Sequence, residues 1–174
     1  MNKLYTGRFT QPARTNRKFS RFWALLITLS ATTALHGAPL QDADDFMELS
    51  QSIQEKKVPL LLVIEAEHCN YCKRLKAEQL LPINNNEDYQ QKVMIRTIKM
   101  DSASEIVGFD GKKTTPAKLS SQYKAFLTPT LLFLNEKGEE VTKRILGYNS
   151  PDYYGLYLDQ AIDTAGEKIS GVTN

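Results

Sequence analysis

Cysteine and histidine are scarce in this chain of 174 residues, which contains two of each. A structural zinc site takes about four cysteine or histidine ligands, and His36 lies in a segment that we expect to be removed. The composition therefore argues against zinc, and we expect no metal and no cofactor. It leaves one pair to be explained, Cys69 and Cys72, which are separated by two residues.

Acidic residues are absent from the first 38 residues, which carry six lysines and arginines. An apolar run of about fourteen residues follows, from Phe22 to Leu35, and small residues lead to Ala38. This order of basic, apolar and small residues is typical of a secretory signal, so we predict that residues 1–38 form a signal peptide and that the protein is periplasmic. The run is shorter than the roughly twenty apolar residues of a membrane span, although an uncleaved anchor stays an alternative.

Without this segment the chain is not basic. Residues 39–174 contain 16 lysines and arginines against 20 aspartates and glutamates, a net charge of −4. This balance argues against a nucleic-acid partner, which would require a basic surface. The remaining length is enough for a single buried core. We therefore expect one domain over residues 39–166, followed by a loose tail over residues 167–174.

The two cysteines lie between a predicted strand and a predicted helix. The apolar run 58–64 precedes them, and a helical pattern over residues 71–81 follows. Cys-x-x-Cys in this context is typical of a redox dithiol. Unpaired N–H groups and the dipole at a helix start favour negative charge, so Cys69 is the expected nucleophile and Cys72 the resolving thiol. A purely structural disulfide is the alternative, although closing so short a loop removes little chain entropy.

The rest of the chain alternates between helical and strand patterns. Helices are predicted over residues 42–57, 71–81 (ending at Pro82), 87–92, 115–125 and from 150 onward. Strands are predicted over residues 58–66, 93–100, 130–134 and 140–146, with a loop and a short hairpin between residues 101 and 114. This order predicts a three-layer α/β/α sandwich around a central mixed sheet.

Residues 58–162 resemble the thioredoxin superfamily, and more narrowly its secreted group, which includes SoxW-type proteins and the catalytic domains of disulfide isomerases. Four matching pieces carry the resemblance: the run 61–64 leading into Cys69-Asn70-Tyr71-Cys72-Lys73, the segment 108–112, Thr128-Pro129-Thr130 at the entry to a strand, and Gly147-Tyr148. The resemblance implies the thioredoxin fold.

The resemblance also implies a cis peptide bond before Pro129, whereas an ordinary trans proline at a strand entry is the alternative. In the family the residue before this proline, here Thr128, offers backbone hydrogen bonds to an extended substrate. The resemblance implies that Gly147 and Tyr148 lie on the same rim, with a plain turn as the alternative, and Tyr71 is a further candidate for substrate contact.

One family feature is missing. Thioredoxins carry a buried acid six residues before the first cysteine, and this chain has Val63 there, which makes Glu65 a candidate substitute. Lys73 and a protonated His68 would favour the Cys69 thiolate, whereas Glu65 and Glu67 would oppose it. His68 is a candidate proton carrier or a simple substrate contact, and Lys73 could equally be a solvated surface residue.

These observations favour an exported thiol:disulfide oxidoreductase that is kept reduced and acts on the disulfides of protein substrates. The resemblance implies a membrane thiol transporter of the DsbD or CcdA kind as the electron source. We expect a monomer, because the dimerisation domain of the isomerases is absent. Two alternatives are an oxidase that donates its disulfide and a non-catalytic module that binds a peptide around Thr128 and Pro129.

Overall fold

A computed structural model describes residues 38–171 of the chain. Residues 1–37, which hold nearly all of the predicted signal segment, and residues 172–174 lie outside this described part. The helices are α1 (Phe46–Lys56), α2 (Asn70–Leu75), α3 (Leu81–Asn84), α4 (Glu87–Gln90), α5 (Pro116–Gln122) and α6 (Tyr154–Ser170), with a π-helical turn at Lys76–Leu80 between α2 and α3. The strands are β1 (Gln41–Asp42), β2 (Leu60–Glu65), β3 (Met94–Lys99), β4 (Ile106–Val107), β5 (Lys113–Thr114), β6 (Thr130–Leu134) and β7 (Ile145–Leu146).

Five of these strands form one mixed sheet in the order β1-β3-β2-β6-β7. The pairs β1–β3 and β2–β3 are parallel, whereas β2–β6 and β6–β7 are antiparallel. β4 and β5 form a separate antiparallel hairpin, as predicted between residues 101 and 114. The predicted α/β/α sandwich with a central mixed sheet is therefore confirmed.

The central strand β2 is buried on both faces, which explains its nearly continuous apolar sequence. Leu60, Leu62 and Ile64 point to one core, together with apolar residues of α1 and α5. Leu61 and Val63 point to the other core, which is formed with α2, the π turn and α6. This alternation fixes which side chains of β2 lie beneath the helix that follows the cysteines.

The first helix begins later than predicted. Asp45 caps α1, since its carboxylate accepts hydrogen bonds from the N–H groups of Met47 (2.9 Å) and Glu48 (3.0 Å). The residues before this cap pair with β3, where Gln41 lies opposite Arg96. Asp42, which was predicted to be the first residue of the helix, is therefore part of the edge strand β1.

Pro82 does not end the second helix, contrary to the prediction. The N–H of Leu81 donates to the carbonyl of Lys76, five residues earlier, which is the π-helical pattern. Pro82 then stands in the first turn of α3, where a missing N–H and a fixed φ are tolerated. The helix thus restarts as α3 and continues to Asn84.

Three further boundaries differ from the prediction. α5 ends at Gln122 instead of residue 125, because Lys124 adopts a left-handed conformation (φ 51°). β7 is limited to two residues, and only an isolated bridge between Leu134 and Glu140 precedes it. α6 continues past Gly166 to Ser170, since Ile169 continues its apolar face and packs against the core. Residues 167–170, which were expected to belong to a loose tail, are therefore helical, and residues 172–174 lie outside the described part of the chain.

Candidate active site

The two cysteines form a disulfide at the start of α2. Cys69 is the N-cap residue, and its Sγ accepts a hydrogen bond from the N–H of Cys72 at 3.1 Å. Cys72 is 1 % exposed, whereas Cys69 is only partly buried. The outer sulfur therefore belongs to Cys69, at the helix end where a backbone N–H can stabilise a thiolate.

Sheet pairing brings the predicted rim to the same end of the sheet as the cysteines. β2 ends at Glu65, and its neighbour Ile64 lies opposite Thr130, the first residue of β6. The peptide bond between Thr128 and Pro129 is cis, as the resemblance implied. Gly147, which has a positive φ of 71°, donates its N–H to the carbonyl of Pro129 at 2.8 Å. The segment before β6 and the segment after β7 are thus joined at this rim.

Several large apolar side chains at this end of the fold are open to solvent. Tyr71, between the two cysteines, is 54 % exposed, and Leu146, next to Gly147, is 55 % exposed. Phe126 and Leu127, just before Thr128, are also exposed. Neither Phe126 nor Leu127 was singled out from the sequence, although their position directly before the Thr-Pro pair was a usable signal. These exposed apolar side chains are candidates for an interaction surface, and that role stays a prediction.

An ion pair between a buried carboxylate and a partly exposed lysine connects the end of β2 to the segment that follows α2. Glu65, whose side chain is 3 % exposed, contacts the Nζ of Lys76 through both carboxylate oxygens, at 2.9 and 2.8 Å. Glu65 shares the face of β2 that carries Val63, the residue at the family's acid position. Lys76 is also tied to the dithiol helix, because its N–H donates to the carbonyl of Cys72. Glu65 is thus a buried acid that is connected to the helix of Cys72 through Lys76. Its role in the redox chemistry stays a prediction.

The second carboxylate that was expected to oppose the Cys69 thiolate also has a partner. Glu67 pairs with Lys99 at 2.8 Å, and this lysine lowers the pKa of the Glu67 carboxyl, first by its hydrogen bond and then by its charge. The N–H of Glu67 is held by the carboxylate of Asp101. His68 and Lys73 are exposed, which fits the surface alternative as well as a tuning role.

Residues 47–162 match the family model of the thioredoxin-like domain. The chain belongs to the thioredoxin-like family. No curated protein sequence matches it significantly. Among solved structures, it is similar to mitochondrial thioredoxin 3 of Saccharomyces cerevisiae, with 16 % identity over 71 % of this chain and 92 % of that chain and a TM-score of 0.48. It is also similar to the C-terminal domain of Neisseria meningitidis DsbD, with 19 % identity over 71 % of this chain and 99 % of that chain and a TM-score of 0.48.

In this thioredoxin-like protein, the fold and the Cys-x-x-Cys pair together support thiol:disulfide oxidoreductase chemistry. Narrower membership in the SoxW-like group stays a prediction. Within residues 38–171, no group of three or more histidine, cysteine, aspartate and glutamate side chains is arranged to hold a metal ion. The same part of the chain contains no helix long and apolar enough to cross a membrane.

Sequence patterns did not reveal a polar cluster that connects the dithiol helix to the rim. Tyr148, which follows Gly147, is 1 % exposed, and its hydroxyl donates to Glu78 in the π turn at 2.5 Å. The guanidinium of Arg74 lies 5.6 Å from the Tyr148 ring centroid and pairs with Glu78 at 3.2 Å. The ring of Tyr154 packs edge-on against Tyr148, with centroids 4.7 Å apart. The cluster therefore joins α2, the π turn, the rim and α6.

We expect Tyr148→Phe to reduce stability at neutral pH and to have little effect in acid. The Tyr148 hydroxyl, and then Arg74, hold the pKa of Glu78 below its ordinary value of 4.5. Because the pKa of Glu78 is lower in the folded protein than in the unfolded chain, ionised Glu78 stabilises the fold above pH 4.5. This stabilisation is lost as the pH falls through the pKa of Glu78 in the folded protein. Urea melts at a series of pH values would measure this. If the difference in unfolding free energy between Tyr148→Phe and the wild type stayed the same at pH values below the pKa of Glu78 in the folded protein, this linkage would be wrong.

Proposed function

We propose that this protein is a thiol:disulfide reductase that acts on protein disulfides through Cys69 and Cys72. One observation carries the proposal: the partly exposed Cys69 caps α2 in front of the buried Cys72. The Thr128–Pro129 and Gly147 rim at the same end of the sheet supports it. The exposed apolar side chains around this end favour polypeptide over small polar substrates.

In the proposed reaction the Cys69 thiolate attacks one sulfur of a substrate disulfide. A mixed disulfide forms between Cys69 and the substrate, and the other substrate sulfur leaves as a thiolate that takes up a proton. Cys72 then loses its proton, and its thiolate attacks the Cys69 sulfur. The Cys69–Cys72 disulfide forms, and the second substrate thiol is released. Two electrons and two protons have passed to the substrate, so a donor dithiol must reduce the pair again.

The equilibrium reduction potential of the Cys69–Cys72 pair decides the direction. The potential can be measured against glutathione or dithiothreitol buffers by following alkylation of the free thiols. A reductase should have a value near or below about −220 mV, whereas a value near −120 mV would make the protein a disulfide-donating oxidase. Reduction of insulin disulfides by the pre-reduced protein is the matching activity assay.

We further propose that the protein acts outside the cytoplasm and receives electrons from a membrane thiol transporter of the DsbD or CcdA kind. The basic, apolar and small-residue order of residues 1–38 supports export. In an oxidising compartment the two cysteines would pair unless a donor reduced them. N-terminal sequencing of the protein from its native compartment should give a start between residues 35 and 39. A start at Met1 with firm membrane attachment would instead identify an anchored form.

A further inference from the structure

A groove lies beside the rim, between the segment that ends in β7 and helix α6. Its volume is about 480 Å³, and large apolar side chains stand on both walls, with Leu146 on the strand side and Tyr157 (61 % exposed) on the helix side. The residues that line it are Thr142, Lys143, Arg144, Ile145, Leu146, Tyr154, Tyr157, Gln160, Ala161 and Thr164. The proposed reaction uses none of them.

The backbone at this groove is suited to an additional strand. β7 is the last strand of the five-stranded sheet. Gly147 bonds inward to Pro129, and Ile145, two residues earlier, lies opposite Leu131. Because hydrogen-bonding direction alternates along an antiparallel strand, the N–H and C=O of Leu146 point away from β6 to the open edge. Within residues 38–171 no further strand pairs with β7, and such an edge is a template for an incoming extended chain.

The groove lies at the same end of the sheet as the candidate active site. Leu146 lies opposite Thr130, and Thr130 lies opposite Ile64 near the end of β2. A strand added beyond β7 would lie three strand spacings from β2, about 14 Å. Four or five extended residues span that distance. One polypeptide could therefore present a disulfide to Cys69 and pair with β7 at the same time.

We propose that the β7 edge and its groove form a docking site for an extended, apolar segment of the protein substrate, added as a strand next to Leu146. This inference rests on the proposed function, because it assigns the substrate as a polypeptide that is unfolded near its disulfide. The apolar side chains of Leu146 and Tyr157 would hold alternate side chains of the bound segment.

Tyr157→Ser tests the helix wall, and Tyr153→Ser is its matched control. Tyr153 is also an exposed tyrosine (70 %), but it does not line the groove, and serine is well suited to its position as the N-cap of α6. Two substrates are compared. Hydroxyethyl disulfide is too small to contact the groove while its disulfide reacts with Cys69, whereas the second substrate is an unfolded polypeptide with an apolar segment beside its disulfide. We expect Tyr157→Ser to lower kcat/KM about fivefold or more for the polypeptide alone. Equal losses on both substrates, no loss on either, or the same loss in Tyr153→Ser would overturn the proposal.

A binding experiment separates this proposal from the redox function. The probe is a fluorescently labelled peptide of strand length that alternates valine and lysine and lacks cysteine, and its Kd for the full chain is read from anisotropy. Leu146→Pro removes the outward N–H but keeps both inward-bonding neighbours, and Leu146→Ala keeps that N–H. Weaker binding in Leu146→Pro than in Leu146→Ala, and weaker binding in Tyr157→Ser, would support the site even if the wild type reduced no disulfide. Equal Kd values in all variants would overturn it even if the wild type were an active reductase.

Discussion

Replacing Cys69 by serine is expected to bring protein-disulfide reduction down to the uncatalysed rate, whereas replacing Cys72 by serine should leave substrates covalently attached to the protein. The two cysteines differ in their exposure to solvent and in their position along α2. Cys69 caps α2 and is partly exposed, and Cys72 is buried behind it. An oxygen in place of the attacking sulfur is a far weaker nucleophile at neutral pH. Without Cys72, the mixed disulfide on Cys69 cannot be resolved within the protein.

Insulin reduction and trapping in an extract of the native compartment would measure these effects. Trapped partners should appear on non-reducing gels with Cys72→Ser, disappear on addition of dithiothreitol, and be missing from the variant that lacks both cysteines. If Cys72→Ser trapped nothing while peptides still bound around Thr128 and Pro129, the non-catalytic binding module would be the better explanation. Trapping through Cys72 in the Cys69→Ser variant would reverse the assigned roles.

Lys76→Met is expected to destabilise the fold by about 3 kcal/mol, the largest effect predicted outside the cysteines. Glu65 is almost fully buried, and Lys76 contacts both of its carboxylate oxygens. Methionine keeps much of the lysine stem but leaves the carboxylate without a cation. Glu65→Leu should cost less, because the partly exposed Lys76 can turn its charge to water.

Urea melts of the oxidised protein at neutral pH measure the difference. Lys73→Met is the matched control, since Lys73 is exposed on the same helical stretch and should change stability little. The double variant Glu65→Leu with Lys76→Met should recover most of the loss, because the unpaired buried charge is gone. If Lys76→Met were as stable as the wild type, the Glu65–Lys76 ion pair would contribute nothing to the stability of the fold. Water would then have to solvate the Glu65 carboxylate in the variant.

Patterns within a few residues predicted the elements that frame the site. The apolar run before the cysteines became β2, and the strand predicted over residues 130–134 became β6 with the same bounds. The helix predicted from residue 115 became α5, with Thr115 as its N-cap and Pro116 in its first turn. Each of these signals depends on local backbone preference or on burial of both faces of a strand. The position of Cys69 at a helix start followed from the same kind of signal.

Features that depend on contacts across the fold were not predicted. The partner of Glu65 was not identified, because it requires knowing that Lys76 begins a π turn directly above β2. The bond between Tyr148 and Glu78 joins residues 70 positions apart. The short strand β1 has no pattern of its own and exists because Gln41 meets Arg96. The alternation of side chains along β2 could have predicted that Glu65 lies on the face covered by α2. No pattern within a few residues could have identified Lys76 as its partner.

The pairing of β2 with β6 has a consequence for synthesis of the chain. Ile64 meets Thr130 and Leu60 meets Leu134, so this pairing joins segments separated by about 70 residues. Contacts that distant form late and slow the folding of a domain. A nascent or truncated chain that ends before Thr130 already carries both cysteines, yet its most apolar strand has one edge uncovered. Such a fragment is expected to aggregate, and its thiols would lack the rim that selects their partners.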